Sequence, residues 1–257
     1  MRALPLLAAA ALAAAATLSS AAVLQIKVEN LAAANGIAFA PLHFGVHAGV
    51  FDAFDAGMAA NAATVSVAEG GAGGAWQAAF AAAEPQATRG TVGGLLLSGQ
   101  MNTLMVNVDP LLNPFFTFAS MVVPSNDFFI GNDSPMRYRI FDAAGNLVIH
   151  HIDQQASDIW DAGSELFDPA AAAFVGDNGL RTAQNGVVAF EFAELAGFDG
   201  LLTGAGYIFQ SGLQRDTPVY RIHLNVVPEP ASAMLLLPGL LAAGWMRRRR
   251  PQRDAEA

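Results

Sequence analysis

Two stretches near opposite ends of the chain alternate apolar and polar side chains with period two: Leu24-Gln-Ile-Lys-Val-Glu-Asn30 and Tyr220-Arg-Ile-His-Leu-Asn-Val226. An extended backbone puts every second side chain on one face, so each stretch predicts a half-buried strand. Between them lie short apolar runs with turn signals: Thr64–Ala68, Met101–Val108, Phe115–Val123, Met136–Phe141, Leu147–Ile152 and Val187–Phe192. Asp142-Ala-Ala-Gly-Asn146, between two of these, reads as a hairpin loop. Leu213–Thr217 reads as the loop leading into the last strand. Short strands at fairly regular spacing predict an all-β fold, an antiparallel β-sandwich. One Ala-rich piece departs from the pattern. Trp76–Glu84 sets Trp76, Ala79, Phe80 and Ala83 on one helical face. No repeat of fixed period and no internal linker interrupts residues 23–227, which read as one domain.

The two ends read differently. Arg2, then the Ala/Leu-rich run Ala3–Thr17, then Ser20-Ala21-Ala22 make residues 1–22 a signal peptide cleaved before Val23. At the other end Ala231–Met246 is an apolar run of 16 residues, followed at once by Arg247–Arg250. A basic cluster beside a span marks the cytoplasmic side, and arginine stems can extend a short span. Residues 251–257 would then be a cytoplasmic tail. The domain between the ends has 19 acidic and 7 basic residues, a net charge of −12. That charge repels nucleic acid and anionic lipid and tolerates divalent cations. The chain has no cysteine, which excludes disulfides, thiol redox chemistry and thiolate metal sites.

The chemistry on offer is mostly carboxylate. Asp127 closes Pro124-Ser-Asn-Asp127, and Asp161 and Glu165 stand four apart around Gly163. Two or three carboxylates converging with carbonyls and waters suit Ca²⁺. The same Asn, Asp, Ser and Gly residues are also turn formers, and the spacing alone leaves solvated loops with Asx-turns as the plainer reading. His43 and His47 are four apart, but Phe39, Phe44, Val46 and the nearby glycines read as strand or loop, which gives the histidines a structural role. His150 and His151 would point to opposite faces of a strand, and His223 would alternate outward with Arg221 and Asn225. The chain lacks Gly-x-Ser-x-Gly, His-Glu-x-x-His and a Lys-bearing phosphate loop. Gly70-Gly-Ala-Gly-Gly74 reads as a flexible turn. Asp127 with Asp161 could in principle serve as a glycosidase pair. The expectation is a protein that is not an enzyme.

Four stretches carry a family resemblance. They are Val28-Glu-Asn30; Pro41–Asp52 with Phe54-Asp-Ala-Gly57 and Val67-Ala-Glu-Gly70; Val123-Pro-Ser-Asn-Asp-Phe-Phe-Ile-Gly131; and Trp160-Asp-Ala-Gly-Ser-Glu165. In order and spacing the mature chain resembles the spondin N-terminal domain of F-spondin and mindin, which also occurs in exported bacterial proteins. The resemblance implies a C2-like β-sandwich over 23–227 with a cation held by loops at one end. It carries the metal ligands onto Asp127, Asp161 and Glu165 and makes Ca²⁺ the expected ion, with Mg²⁺ left open. A Glu stands at 165 where the animal proteins have Asp, and their cysteines and further adhesive modules are missing here. Their particular receptors are therefore not carried over.

The tail carries a second resemblance. Pro228-Glu229-Pro230, the apolar run and the arginines are together similar to a PEP-CTERM sorting signal, over residues 228–250. That resemblance implies an exosortase-type sorting enzyme as partner. It places the chain at the cell surface or in the extracellular matrix, held in the membrane by its C-terminal segment before processing. A plain C-terminal anchor gives the same topology. The expected work is binding or adhesion, with an extracellular polysaccharide or a surface protein as ligand. The alternatives are a structural matrix component or a polysaccharide hydrolase.

Overall fold

The computed structural model describes residues 21–228. The signal-peptide reading for 1–20, Glu229 and Pro230 of the sorting motif, and the apolar and arginine-rich tail lie outside the described residues. Among the described residues no helix is long and apolar enough to cross a membrane.

In chain order the first strands are β1 (Ala22–Asn30), β2 (Ala38–Phe39) and β3 (Leu42–His47). Helices α1 (Ala62–Gly70) and α2 (Gly74–Ala83) follow. Then come β4 (Thr88–Val92), β5 (Met101–Val108), β6 (Phe115–Val123), β7 (Phe128–Gly131) and β8 (Tyr138–Arg139). The last are β9 (His151–Gln155), β10 (Ile159–Asp161), β11 (Ala189–Phe190) and β12 (Pro218–Val227). They form two antiparallel sheets. One has the order β5-β1-β12-β9, and the other β11-β10-β7-β6-β3-β4, with β2 and β8 also pairing β6.

The alternation at the two chain ends does what its period requires. Leu24, Ile26 and Val28 of β1 face inward beside Ile222 and Leu224 of β12, in a register that pairs Ile26 with Leu224. Their outward partners carry charge: His223 Nε2 lies 2.9 Å from Glu29 Oε2, and Arg221 pairs with Asp153. Across the core, the larger sheet supplies Phe44 and Val46 of β3, Phe116 and Phe118 of β6, and Ile130 of β7. The protein is thus mostly β, two antiparallel sheets closed over one core.

The centre of the larger sheet is buried on both faces, because the helices lie on its far side. Every residue of β3 is buried, and all but the first of β6. This is why Phe115–Val123 reads as a continuous apolar run instead of an alternation. Trp76 and Phe80 of α2 and Val67 of α1 pack there with Phe51, Phe54, Phe129 and Trp160. Gly45 makes the close approach possible: a Cβ at that position would lie 2.1 Å from the Phe80 ring. The expected helix at 76–84 is α2. The run Thr64–Ala68 requires a correction, since it lies within α1 and not in a strand. Asn61 caps that helix by accepting from the Thr64 N–H at 3.0 Å, and Gly71 ends it at φ +63°. Of Met136–Phe141 only Tyr138–Arg139 is strand, and of Val187–Phe192 only Ala189–Phe190. The run Leu147–Ile152 reaches a strand only at His151. Asp142–Asn146 is the expected turn, with the Asp142 carboxylate accepting from the Ala144 and Asn146 N–H groups.

His43 and His47 sit on the helix side of β3, where both have structural partners. His43 bridges Thr91 Oγ1 and the Gly71 carbonyl, each at 3.0 Å. His47 Nδ1 meets Glu84 Oε1 at 2.8 Å, and its Nε2 meets Thr117 Oγ1 at 2.9 Å. The Glu84 carboxylate also accepts from the N–H groups of Ala48, Val50 and Phe51 at 2.6–2.7 Å. One carboxylate therefore ties the end of α2 to the end of β3.

Candidate metal centre

The chain enters the site from β6. In the turn Pro124–Asp127, Ser125 Oγ donates to the Val122 carbonyl and accepts from the Phe128 N–H, so its role is to shape the turn. Asn126 and Asp127 reach across to the loop after β10. Asn126 Nδ2 donates to Glu165 Oε1 at 2.9 Å and to the Asp168 carbonyl at 3.1 Å, while its Oδ1 accepts from the Asp168 N–H. Asp127 is buried, and its Oδ2 accepts from the Ser164 N–H, the Ser164 hydroxyl and the Glu165 N–H at 2.7–3.0 Å. The two loops that carry the expected ligands are therefore already held together by these hydrogen bonds.

The second loop is shaped by Gly163. Its φ of +65° is open to glycine, and an added Cβ would lie 2.6 Å from the Val187 nitrogen. Asp161 Oδ1 accepts from the Gly163 N–H at 2.5 Å, an Asx-turn. The segment 184–188 clamps this loop from outside, through Gln184 N–H to the Ser164 carbonyl and Gly186 N–H to the Gly163 carbonyl, both 2.8 Å.

Asp127, Asp161 and Glu165 all line one small cavity of about 50 Å³. Glu194 joins them from the 3₁₀ turn Phe192–Phe198, and Asn126 and Gln184 add amides. Glu165 is 2% exposed, and its Oε2 has no hydrogen-bond partner among the described residues. A buried carboxylate oxygen without a partner is costly. The electrostatics agree. Burial pushes the Asp161 carboxyl up to about 7, and the Asp127 charge adds to the shift. Burial also raises Asp127, against the opposing Ser164 and Glu165 bonds, and it raises Glu165 and Glu194. Arg181, which works against the rise at Glu165, is itself paired with Glu69 at 2.8 Å.

All these donors are oxygens, the set a hard cation takes. The volume admits an ion with a few waters, since one water needs about 10–15 Å³. It is far below the roughly 300–1,000 Å³ of an organic-ligand pocket. Among the described residues no three His, Asp or Glu side chains are drawn together tightly enough to form a metal-holding set as they stand. The donor chemistry thus fits a hard cation, while the spacing is open. Glu194 is the residue the sequence does not single out. It lies 29 positions beyond Glu165, in a turn with no motif of its own. Comparison of the chain with protein-family models and with curated proteins finds no match.

Proposed function

We propose that this is an exported surface or matrix protein whose β-sandwich is stabilised by a hard divalent cation, Ca²⁺ first, and which works by binding without turnover. The observation that carries the reading is the buried, unpartnered Glu165 Oε2 in a cavity walled by four carboxylates, Asp127, Asp161, Glu165 and Glu194. The cation would supply the positive charge this wall lacks. Asp127 and Asn126 would keep the two loops in place for it through the bonds they already make. The spondin-type resemblance supports the same three ligands and a C2-like sandwich, and the PEP-CTERM resemblance supports export and exosortase sorting. Pro228, the first residue of that motif, is exposed directly after β12.

Asp161, with its carboxyl pushed up to about 7 beside Asp127, also has the pattern of an acid and a base in one site. Size argues against the hydrolase reading, because about 50 Å³ does not admit a sugar ring. The test is thermal unfolding of the full chain in EDTA and across a Ca²⁺ series, with Mg²⁺ in parallel. A midpoint that climbs with Ca²⁺ is the expected result, by linkage to a site present only in the folded state. A midpoint that does not move with either ion would overturn the reading.

A further inference from the structure

A second pocket opens on the other side of β10. Neighbouring side chains of a strand point to opposite faces. While Asp161 lines the acidic cavity, Trp160 lines a separate space of about 230 Å³. Trp160 pairs in register with Phe190 of β11, and the two rings stack with centroids 3.7 Å apart and planes 23° apart. The indole is fixed from behind, donating from Nε1 to the Gly131 carbonyl at 3.1 Å. Phe190 lies outermost at 51% exposure. It also borders a smaller space of about 130 Å³ beside Ser157 and Arg215.

The polar wall of the larger pocket is mixed in sign and pre-arranged. Arg137 Nε donates to Tyr138 Oη at 3.2 Å, and Gln154 Nε2 donates to the same oxygen at 3.3 Å. With both lone-pair sites used, the Tyr138 O–H is left to donate. Gln154 Nε2 also donates to the Asp153 carbonyl at 2.9 Å, which leaves its Oε1 as an acceptor. Asp133 and Asp158 add carboxylates to the same wall.

This mixture discriminates between ligand classes. A metal ion would meet the Arg137 charge. A phosphate or carboxylate would meet Asp133 and Asp158 in an already acidic domain. A lipid chain would strip water from polar groups and give them nothing in return. A sugar answers both walls. Its hydroxyls accept and donate around the ring, and its C–H face, slightly positive, suits the negative face of an aromatic ring. We infer that this pocket binds a glycan: one neutral sugar unit sits against Phe190 in the larger space, and the next crosses Phe190 into the smaller one. The inference gives the surface-binding reading a ligand class. It stands on residues outside the acidic cavity, so its failure and the failure of the cation reading are separate results.

The experiment is saturation-transfer NMR with the full chain and four probes: cello-, laminari-, chito- and mannotriose. Each is used at about 5 mM, enough to fill most of a site whose Kd is about 1 mM. The expected result is transfer to at least one trisaccharide, stronger than to its monosaccharide. Phe190→Ala should weaken it by about tenfold and Phe190→Trp should retain it. Asp133→Asn should weaken it without moving Tm, and the Tm of Phe190→Ala should move little because the ring is half exposed. No transfer to any of the four probes would overturn the inference. So would transfer that survives both Phe190→Ala and Asp133→Asn.

Discussion

Asp161→Asn is the substitution that isolates the charge of the acidic cavity. Asp127 is less suitable, because its Oδ2 holds three hydrogen bonds that join the loops, and Ala there would break them with or without a cation. Asn at 161 keeps an oxygen for the Gly163 N–H, removes the charge and turns the second carboxylate oxygen into an amide N–H donor. The Asp161 carboxyl moves from an ordinary 3.8 to about 7 on folding, chiefly through burial and then through Asp127. At about 1.36 kcal/mol per pH unit, that gap corresponds to about 4 kcal/mol. Asp161 is only partly buried, and solvent screening reduces the cost to about 2 kcal/mol. The sign follows from the folded value lying above the unfolded one. The cost is absent below pH 3.8, grows as pH rises to about 7, and stays constant above that. In EDTA near pH 8, Asp161→Asn should therefore be more stable than the native chain by about 2 kcal/mol, and the difference should vanish toward pH 4. Added Ca²⁺ should stabilise the native chain and leave the variant almost unmoved. Urea midpoints at the two pH values, with and without Ca²⁺, read all of this. A variant less stable than the native chain in EDTA near pH 8, or one that keeps the full Ca²⁺ response, would refute the reasoning.

Two further predictions concern the join between the helices and the larger sheet. Glu84→Ala leaves the buried Phe51 N–H and the His47 ring N–H without their acceptor, and should cost about 3–5 kcal/mol in urea unfolding; a loss under about 1 kcal/mol would show that water replaces the carboxylate. Burial raises Glu84, but His47 and the backbone N–H groups outweigh it and leave the carboxyl below its ordinary 4.5, so this contribution should persist above that value and fade as acid titrates the folded chain. Gly45→Ala forces a Cβ into the Phe80 ring and should cost about 1–3 kcal/mol by overpacking, and an unchanged urea midpoint would show that α2 is free to shift.

The sheets were legible where one face is wet. β1 and β12 alternate because their outer sides meet solvent and carry Glu29, Arg221 and His223. β5 and β6 were legible as mostly apolar runs of the right length for strands. The third layer was half legible. Trp76 and Phe80 showed the spacing of a buried helical face, whereas Thr64-Val-Ser-Val-Ala68 alternates small polar and branched apolar residues and so mimics a strand. What makes it helical lies outside the run, in the Asn61 cap and the left-handed Gly71, and in a sheet face that needs covering. Local period cannot report a tertiary demand of that kind.

The acidic site shows the same limit at smaller scale. Asp127, Asp161 and Glu165 were visible because each stands in a short motif with its own turn chemistry. Glu194 was not, because it reaches the cavity only through the 3₁₀ turn that follows β11. Nor did spacing reveal that Asn126 and Asp127 already join the loops. This changes the part a cation would play. The loops need no ion to find one another, so neutralisation, and not assembly, is what the ion would contribute. A bound ion would answer both the unpartnered Glu165 oxygen and the Asp161 carboxyl, which burial raises first and the Asp127 charge second. Because β10 sends Asp161 into this cavity and Trp160 towards the neighbouring pocket, the charge on one face and the ring that backs Phe190 on the other are carried by adjacent residues of a single strand.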